Sequence, residues 1–361
     1  MDNKINKNVL IIGANGYVGP LVCDKFIRES YNVTVIDDNW FLESNKLSFS
    51  KDFTNNSKKI NWINYDVRSF KNSTLINLGE FETVIYLAAV SNDPIGKDFS
   101  IPTHHINSQS AIELAENCKD SGVKNFLFAS SCSVYGGGDG SRPVHENDKT
   151  DPLTDYSQSK LSAEIGLQKI SSSNFKVGLL RFATAGGPSV NMRYDLVLND
   201  FVYSAIKNNF IEIKSNGKPF RPIINTLDMA NGFFNVLNYM LNSNDHHVVF
   251  NVGFNNWNFQ VLELAEYVQK VLGNNIDIKV DLSAADDKRS YCVNFDKYSS
   301  ISKNILPEMT IDQVINKTSN ITEQVISLVS LGVLDYSHLK RHSHLKSLID
   351  NKYMNKNLNW I

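Results

Sequence analysis

Tyr156 and Lys160 stand four residues apart in "DPLTDYSQSK", just past a proline. If a helix starts there, the two side chains share one face. A free phenol titrates near pH 10 and is a poor base at neutrality. Bringing it to near neutral takes roughly 4 kcal/mol of preferential phenolate stabilisation, part of which an ammonium one helical turn away could supply. A phenol activated in this way could take the proton of an alcohol while hydride leaves the same carbon. Ser131 lies 25 residues earlier, at the end of the strand-like run "NFLFAS". Its hydroxyl could bond the same substrate oxygen and pass protons to the tyrosine.

A hydride needs an acceptor, and the N-terminus offers a site for one. "IIGANGYVG" places Gly13, Gly16 and Gly19 after an apolar run and into a helical one. So tight a turn needs glycine, and a pyrophosphate approaches closely only where side chains are missing. The next strand-like run ends in Asp37, 24 residues past Gly13, where an acid would accept hydrogen bonds from the adenosine ribose. An acid there also repels a 2′-phosphate, so the expected cofactor is NAD rather than NADP. Its cationic nicotinamide ring would add to the field on Tyr156. Asp66, in "YDVRS", could hold the adenine amino group or be a solvated strand-end acid.

The elements needed to position these groups are legible. "NVLII", "NVTVI", "TVIYLAA", "NFLFAS" and "KVGLLRF" are β-branched or aromatic runs, and "INWIN" adds a further strand. Helical stretches at 17–29, 103–121 and 156–170 alternate with them. This alternation predicts an α/β fold of Rossmann type, a doubly wound parallel sheet covered on both faces. After residue 183 the pattern loosens. "FIEI" and "VVFNVG" read as strands, 195–207 and 258–272 as helices, and the last sixty residues as helical and polar. We therefore expect a dinucleotide-binding domain over 1–182 that carries the catalytic residues. A smaller mixed C-terminal substrate lobe over 183–361 would follow, with some strands returning to the first sheet.

The 361 residues are 42% hydrophobic and 20% charged, with a net charge of -2. Basic and acidic residues nearly cancel, which argues against a nucleic-acid partner. The apolar runs fall short of the roughly 20 residues of a membrane helix. "MDNKINKN" lacks the apolar core of an export signal, so a cytoplasmic location is expected. The four cysteines (Cys23, Cys118, Cys132 and Cys292) are too dispersed for a zinc or redox pair, and no metal site is expected.

Taken together, the glycine turn, the post-strand acid, "YLAA", "SSCSVYG" and "YSQSK" resemble the extended short-chain dehydrogenase/reductases that act on nucleotide sugars, of the NAD-dependent epimerase/dehydratase type. The resemblance continues through "RFATAGGPS", "MRYDLVLNDF" and "RPIINTLDMA". It assigns Tyr156 and Lys160 the roles argued above, with Lys160 also tethering the nicotinamide ribose. It places Asn107 beside the lysine, holding a water. It implies further cofactor contacts from Tyr17, Val18, Val67, Leu87, Ala88 and Ala89. A homodimer paired through the helices near 103–121 and 156–170 is implied as well.

Within that family the two positions after Ser131 are diagnostic. The 4,6-dehydratases carry Asp and Glu there, and this chain has Cys132 and Ser133. The glutamate of nucleotide-sugar decarboxylases is missing too. Cys132 stands one residue too early to match the reactive cysteine of some relatives, and a packing thiol is the favoured reading. What remains is redox chemistry at C4. The expected activity is that of an epimerase, which oxidises C4, lets the 4-keto sugar turn, and returns hydride to the other face. A C4 dehydrogenase or 4-ketoreductase would use the same residues. A steroid-type ketone reductase and a non-catalytic NAD-binding regulator are the alternatives from other classes.

For the substrate, the resemblance points to Arg221 as a phosphate ligand, and a planar guanidinium suits bidentate contact. Arg193 and Arg289 are further candidate clamps, and Asn199 matches a diphosphate-binding asparagine. Thr184 replaces the asparagine of the 4-epimerases, and Asn225 replaces a common histidine. Ser91, Asn92 and Ser133 should line the sugar pocket.

Overall fold

Runs of Val, Ile, Leu and Phe too short for helices must be buried on both faces as strands, and the chain uses them so. The computed structural model describes residues 7–41, 60–70, 80–137, 142–283, 289–301 and 305–361. Strands β1 (Asn8–Ile12), β2 (Asn32–Asp37), β3 (Ile60–Asn64), β4 (Thr83–Tyr86), β5 (Asn125–Ser131), β6 (Lys176–Phe182) and β10 (His247–Val252) form one sheet, ordered β10-β6-β5-β4-β1-β2-β3. Every neighbouring pair is parallel. Side chains alternate between two cores. Val9, Ile11, Val33, Val35 and Leu127 enter one, and Leu10, Ile12, Val84, Tyr86, Phe126 and Phe128 enter the other.

The remaining strands are short. β7 (Thr184–Gly186), β9 (Phe220–Asn225) and β11 (Asn258–Gln260) make a mixed sheet, and β8 (Phe210–Ile213) pairs with β12 (Asp277–Val280). Helices α1 (Gly19–Arg28), α2 (Asp93–Asp98), α3 (Ser100–His104), α4 (Ser110–Asp120) and α5 (Asp155–Ile170) belong to the first half. They are followed by α6 (Val197–Asn208), α7 (Thr226–Asn242), α8 (Val261–Leu272), α9 (Asp296–Ser300), α10 (Ile311–Ser330) and α11 (Arg341–Asp350). Among the described residues no helix is long and apolar enough to cross a membrane.

Three expectations need correction. The helix read over 103–121 is interrupted by a π-helical turn at His105–Gln109, which re-aims Asn107. The helix read over 258–272 starts at Val261, because Asn258–Gln260 is taken up as an edge strand antiparallel to β9. The strand read over 83–89 ends at Tyr86, and the residues after it turn along the cofactor face.

Helix α5 is fixed at its start by its own sequence. Thr154 caps it by accepting from the Ser157 N–H at 3.2 Å, while the Ser157 hydroxyl accepts from the Thr154 N–H at 3.0 Å. Farther along, Glu164 and Arg181 form a buried ion pair at 2.6 Å. Ser130 also donates to Glu164, and Arg181 donates to the Tyr135 hydroxyl at 3.0 Å. Ser130 and Arg181 face each other in the β5–β6 register, so this cluster locks the strand ends that carry Ser131. Removing one member leaves the other charge buried and unpaired. We expect Glu164→Ala to destabilise the chain by about 3–5 kcal/mol in urea unfolding.

Candidate active site

The carboxyl ends of β1, β2, β4, β5 and β6 open onto one cavity of about 720 Å³. It is placed where a doubly wound sheet binds its ligands. All the candidate site residues named above line it, except Asn107 and Asn199.

At one end lies the glycine turn. Gly13 has φ +83°, and a Cβ there would stand 2.4 Å from the Ala88 backbone. A Cβ on Gly19 would stand 2.2 Å from the Ala14 carbonyl oxygen. These two glycines let the strand, the turn and α1 approach one another. Gly16 is different, since a Cβ there would meet nothing nearer than 3.5 Å, and its open face borders the cavity. The Asp37 carboxylate accepts from the Asn15 and Asn39 N–H groups, each at 2.8 Å, and burial raises its pKa. Asp66 is held by Arg68 at 2.6 Å and takes the Arg68 N–H as well. It is neither free for an adenine alone nor simply solvated.

At the centre, Ser131 ends β5 and Tyr156 and Lys160 project from α5. Lys160 is 2% exposed. Its Nζ donates to the Ala129 carbonyl at 2.8 Å and lies 5.9 Å from the centre of the Tyr156 ring. Burial pulls the Lys160 pKa down to about 7. Burial pushes Tyr156 up to about 12, against a hydrogen bond to Ser131 that lowers it. The acidified phenol expected from the Tyr-Lys spacing is therefore not a property of the polypeptide alone. Desolvation outweighs the Ser131 hydrogen bond and the Arg193 charge that oppose it, and a further positive charge in the cavity would act in the same direction as those two.

The rest of the cavity is rich in charge. Arg193 is buried and bidentate on Asp195, with both bonds at 2.9 Å, and donates to the Ser91 hydroxyl at 2.8 Å. Asn92 donates to Asp195 at 3.0 Å. Arg289 pairs with Asp93, and Arg221 donates to the Arg289 carbonyl and stacks 5.5 Å from the Tyr291 ring. Thr184 and Ser133 lie on the wall between these arginines and the tyrosine.

Two candidates lie behind the wall. Asn107 is fully buried, accepting from Val90 N–H at 2.8 Å and donating to Val90 O and the Ser159 hydroxyl. It braces the chain after β4. Asn199 accepts from Gly187 N–H at 2.8 Å and donates to the Tyr17 hydroxyl and Arg193 O. It holds the loops that carry Tyr17 and Arg193. Cys132 is a packing thiol, donating to Arg181 O at 3.1 Å, with its pKa raised by burial. The sequence reading missed Asp93, Asp195 and Tyr291, each within two residues of a candidate already named. It also missed Arg341, more than three hundred residues from the glycine turn.

The NAD dependent epimerase/dehydratase family matches residues 9–253. The chain belongs to this family. Its cofactor is NAD, and the cavity fits one. Asp37 and the open face of Gly16 stand at one end, and the Tyr156–Lys160 couple stands beyond. Among its relatives is the UDP-glucose 4-epimerase of Bacillus subtilis (strain 168), 26% identical over 290 residues, which are 74% of this chain and 83% of that one. Two solved structures share the fold. One is a UDP-N-acetylglucosamine 4-epimerase from Methanobrevibacter ruminantium M1 in complex with UDP-N-acetylmuramic acid. Its TM-score is 0.73 at 23% identity, covering 89% of this chain and 99% of that one. The other is MoeE5 in complex with UDP-glucuronic acid and NAD, with TM-score 0.73 at 21% identity, covering 88% and 99%.

Two outcomes follow for this epimerase/dehydratase-family site. Gly13→Ala should lower the melting temperature and abolish the further rise that NAD produces, as read by thermal unfolding with and without NAD. Lys160 also predicts a pH slope. Its folded pKa of about 7 lies below the unfolded value, so above pH 7 the unfolded chain binds the extra proton. The nucleotide-free protein should gain stability from about pH 7 to about pH 9, and Lys160→Met should lack that gain in urea midpoints.

Proposed function

We propose that the protein is a nucleotide-sugar epimerase acting at C4, with Tyr156 as the base. The observation that carries this reading is one cavity lined by three things: a dinucleotide turn, the Ser131–Tyr156–Lys160 group, and arginines suited to a diphosphate. Bound NAD supplies a hydride acceptor and a cationic ring. Tyr156 Oη would take the proton of the C4 hydroxyl, and Ser131 would bond the same oxygen. Lys160, held by the Ala129 carbonyl, adds positive potential beneath the ring. Arg221 and Arg289 would hold the nucleotide diphosphate, since guanidinium forks suit phosphate oxygens. Arg193 is already engaged by Asp195 and Ser91, and its part is to shape the sugar pocket.

Positions 132 and 133 offer no carboxylate, which disfavours elimination of water by the Asp–Glu route. The same residues would serve a C4 dehydrogenase or a 4-ketoreductase, and the fate of the keto sugar separates these. The relatives' UDP-sugar 4-epimerase activity favours its return to the sugar. We also propose a homodimer formed through the α3–α4 and α5 surfaces, where Ile101 and Ile165 stand exposed, 76% and 49% respectively.

The test is product analysis by NMR after incubation with UDP, GDP and dTDP sugars. C4 epimers without net reduction of NAD are expected. Accumulation of NADH and a released keto sugar would favour the dehydrogenase. Tyr156→Phe should lower turnover by about 10²–10⁴-fold while NAD still binds, and an active Phe variant would refute the assigned base.

A further inference from the structure

The segment after α10 returns to the cofactor end of the cavity. Leu345, Met354 and Leu358 bury themselves in the core beside Ile12, Ile36 and Val67. His344 bonds the Trp40 carbonyl at 2.8 Å, and Trp360 donates to the Asp38 carbonyl at 2.9 Å. Arg68 donates to the Leu358 carbonyl at 2.7 Å, and His342 and Lys346 both meet Asp98 at 2.8 Å. The strap thus clasps the ends of β2 and β3, where the adenosine half of a dinucleotide lies. The matched family region ends at residue 253, well before it.

Arg341 is the first residue of α11 and points from this strap into the cavity. It is 7% exposed. One guanidinium nitrogen lies 3.8 Å from where a Cβ on Gly16 would stand, and the group rests 3.8 Å from the centre of the Phe41 ring. Among the described residues it has no hydrogen-bond or ion-pair partner. Both nearby carboxylates are committed elsewhere: Asp37 to two backbone N–H groups, and Asp195 to Arg193 and Asn92. Burial, and then the neighbouring Arg193 charge, pull the Arg341 pKa down to about 9. A desolvated guanidinium without an anion is an unfavourable arrangement that a bound anion relieves.

We propose that Arg341 is a cofactor-binding residue, its guanidinium stacked on Phe41 and placed to hydrogen-bond the diphosphate of NAD across the open face of Gly16. The C-terminal strap is then part of the cofactor site. Arg341 adds a full positive charge beside the peptide N–H groups of the turn.

The test uses the full chain, stripped of nucleotide, as wild type, Arg341→Met and Arg341→Gln. Binding of ADP, adenosine and 2′-AMP is measured by calorimetry, and melting temperature is measured without nucleotide. Both variants should bind ADP roughly 10- to 100-fold more weakly, with adenosine and 2′-AMP nearly unchanged. The nucleotide-free melting temperature should stay at or rise above wild type, because an unpaired buried charge has been removed. A lower melting temperature, failure of both variants to fold, or equal loss for adenosine and ADP would make Arg341 structural and overturn the proposal. So would weakened 2′-AMP binding with ADP intact, which would place the guanidinium at the ribose.

Discussion

The site depends on keeping an ammonium and a phenol together out of water. Lys160 sits under the Tyr156 ring, donating to the Ala129 carbonyl, with the Phe128 ring beside it. In that setting desolvation dominates, so the phenol holds its proton more tightly than in water and the ammonium holds its own less tightly. The polypeptide is poised rather than active. A cation entering beside the phenol would oppose that effect, and the cofactor of this family carries a cationic ring. Under the proposed function, the base would thereby be coupled to occupancy of the cofactor site.

The rest of the fold serves that requirement. A parallel sheet puts the ends of five strands around one opening, so Gly13, Asp37, Ala88 and Ser131 converge without contact in sequence. The capping box at Thr154 sets where α5 begins, and so which face carries Tyr156 and Lys160. The Glu164–Arg181 pair beneath fixes the helix against β5 and β6. Charge is sorted along the cavity. Backbone N–H groups and Arg341 lie at the dinucleotide end, and Arg221 and Arg289 lie at the other. The Arg193–Asp195 pair stands between them, neutralised by its own partner.

Much of this was legible from the chain alone because it is local. β-branched runs, a glycine turn, a strand-end acid and a tyrosine four residues before a lysine are short-range patterns, and each has one economical reading. Where the structure goes beyond that reading, the deciding contact is distant. The helix read through 103–121 passes through a π-helical turn at His105–Gln109, where Asn107 clasps Val90 and Ser159. Asn199, matched to a diphosphate-binding asparagine, stands in the first turn of α6 and directs its side chain to Gly187, Tyr17 and Arg193. Asp66 is claimed by Arg68, which also ties down the C-terminal segment.

The sheet, the glycine turn and the four-residue spacing of Tyr156 and Lys160 were determined by sequence, because backbone propensity and chemical type are written residue by residue. The tertiary structure alone decided the direction in which the phenol titrates, since burial is a property of everything packed around it. It likewise decided which polar side chains face the ligand and which brace the walls. It also brought Arg341 from the far end of the chain to Gly16, a juxtaposition that no spacing in the sequence encodes, because it is set by how the last helix docks on the sheet.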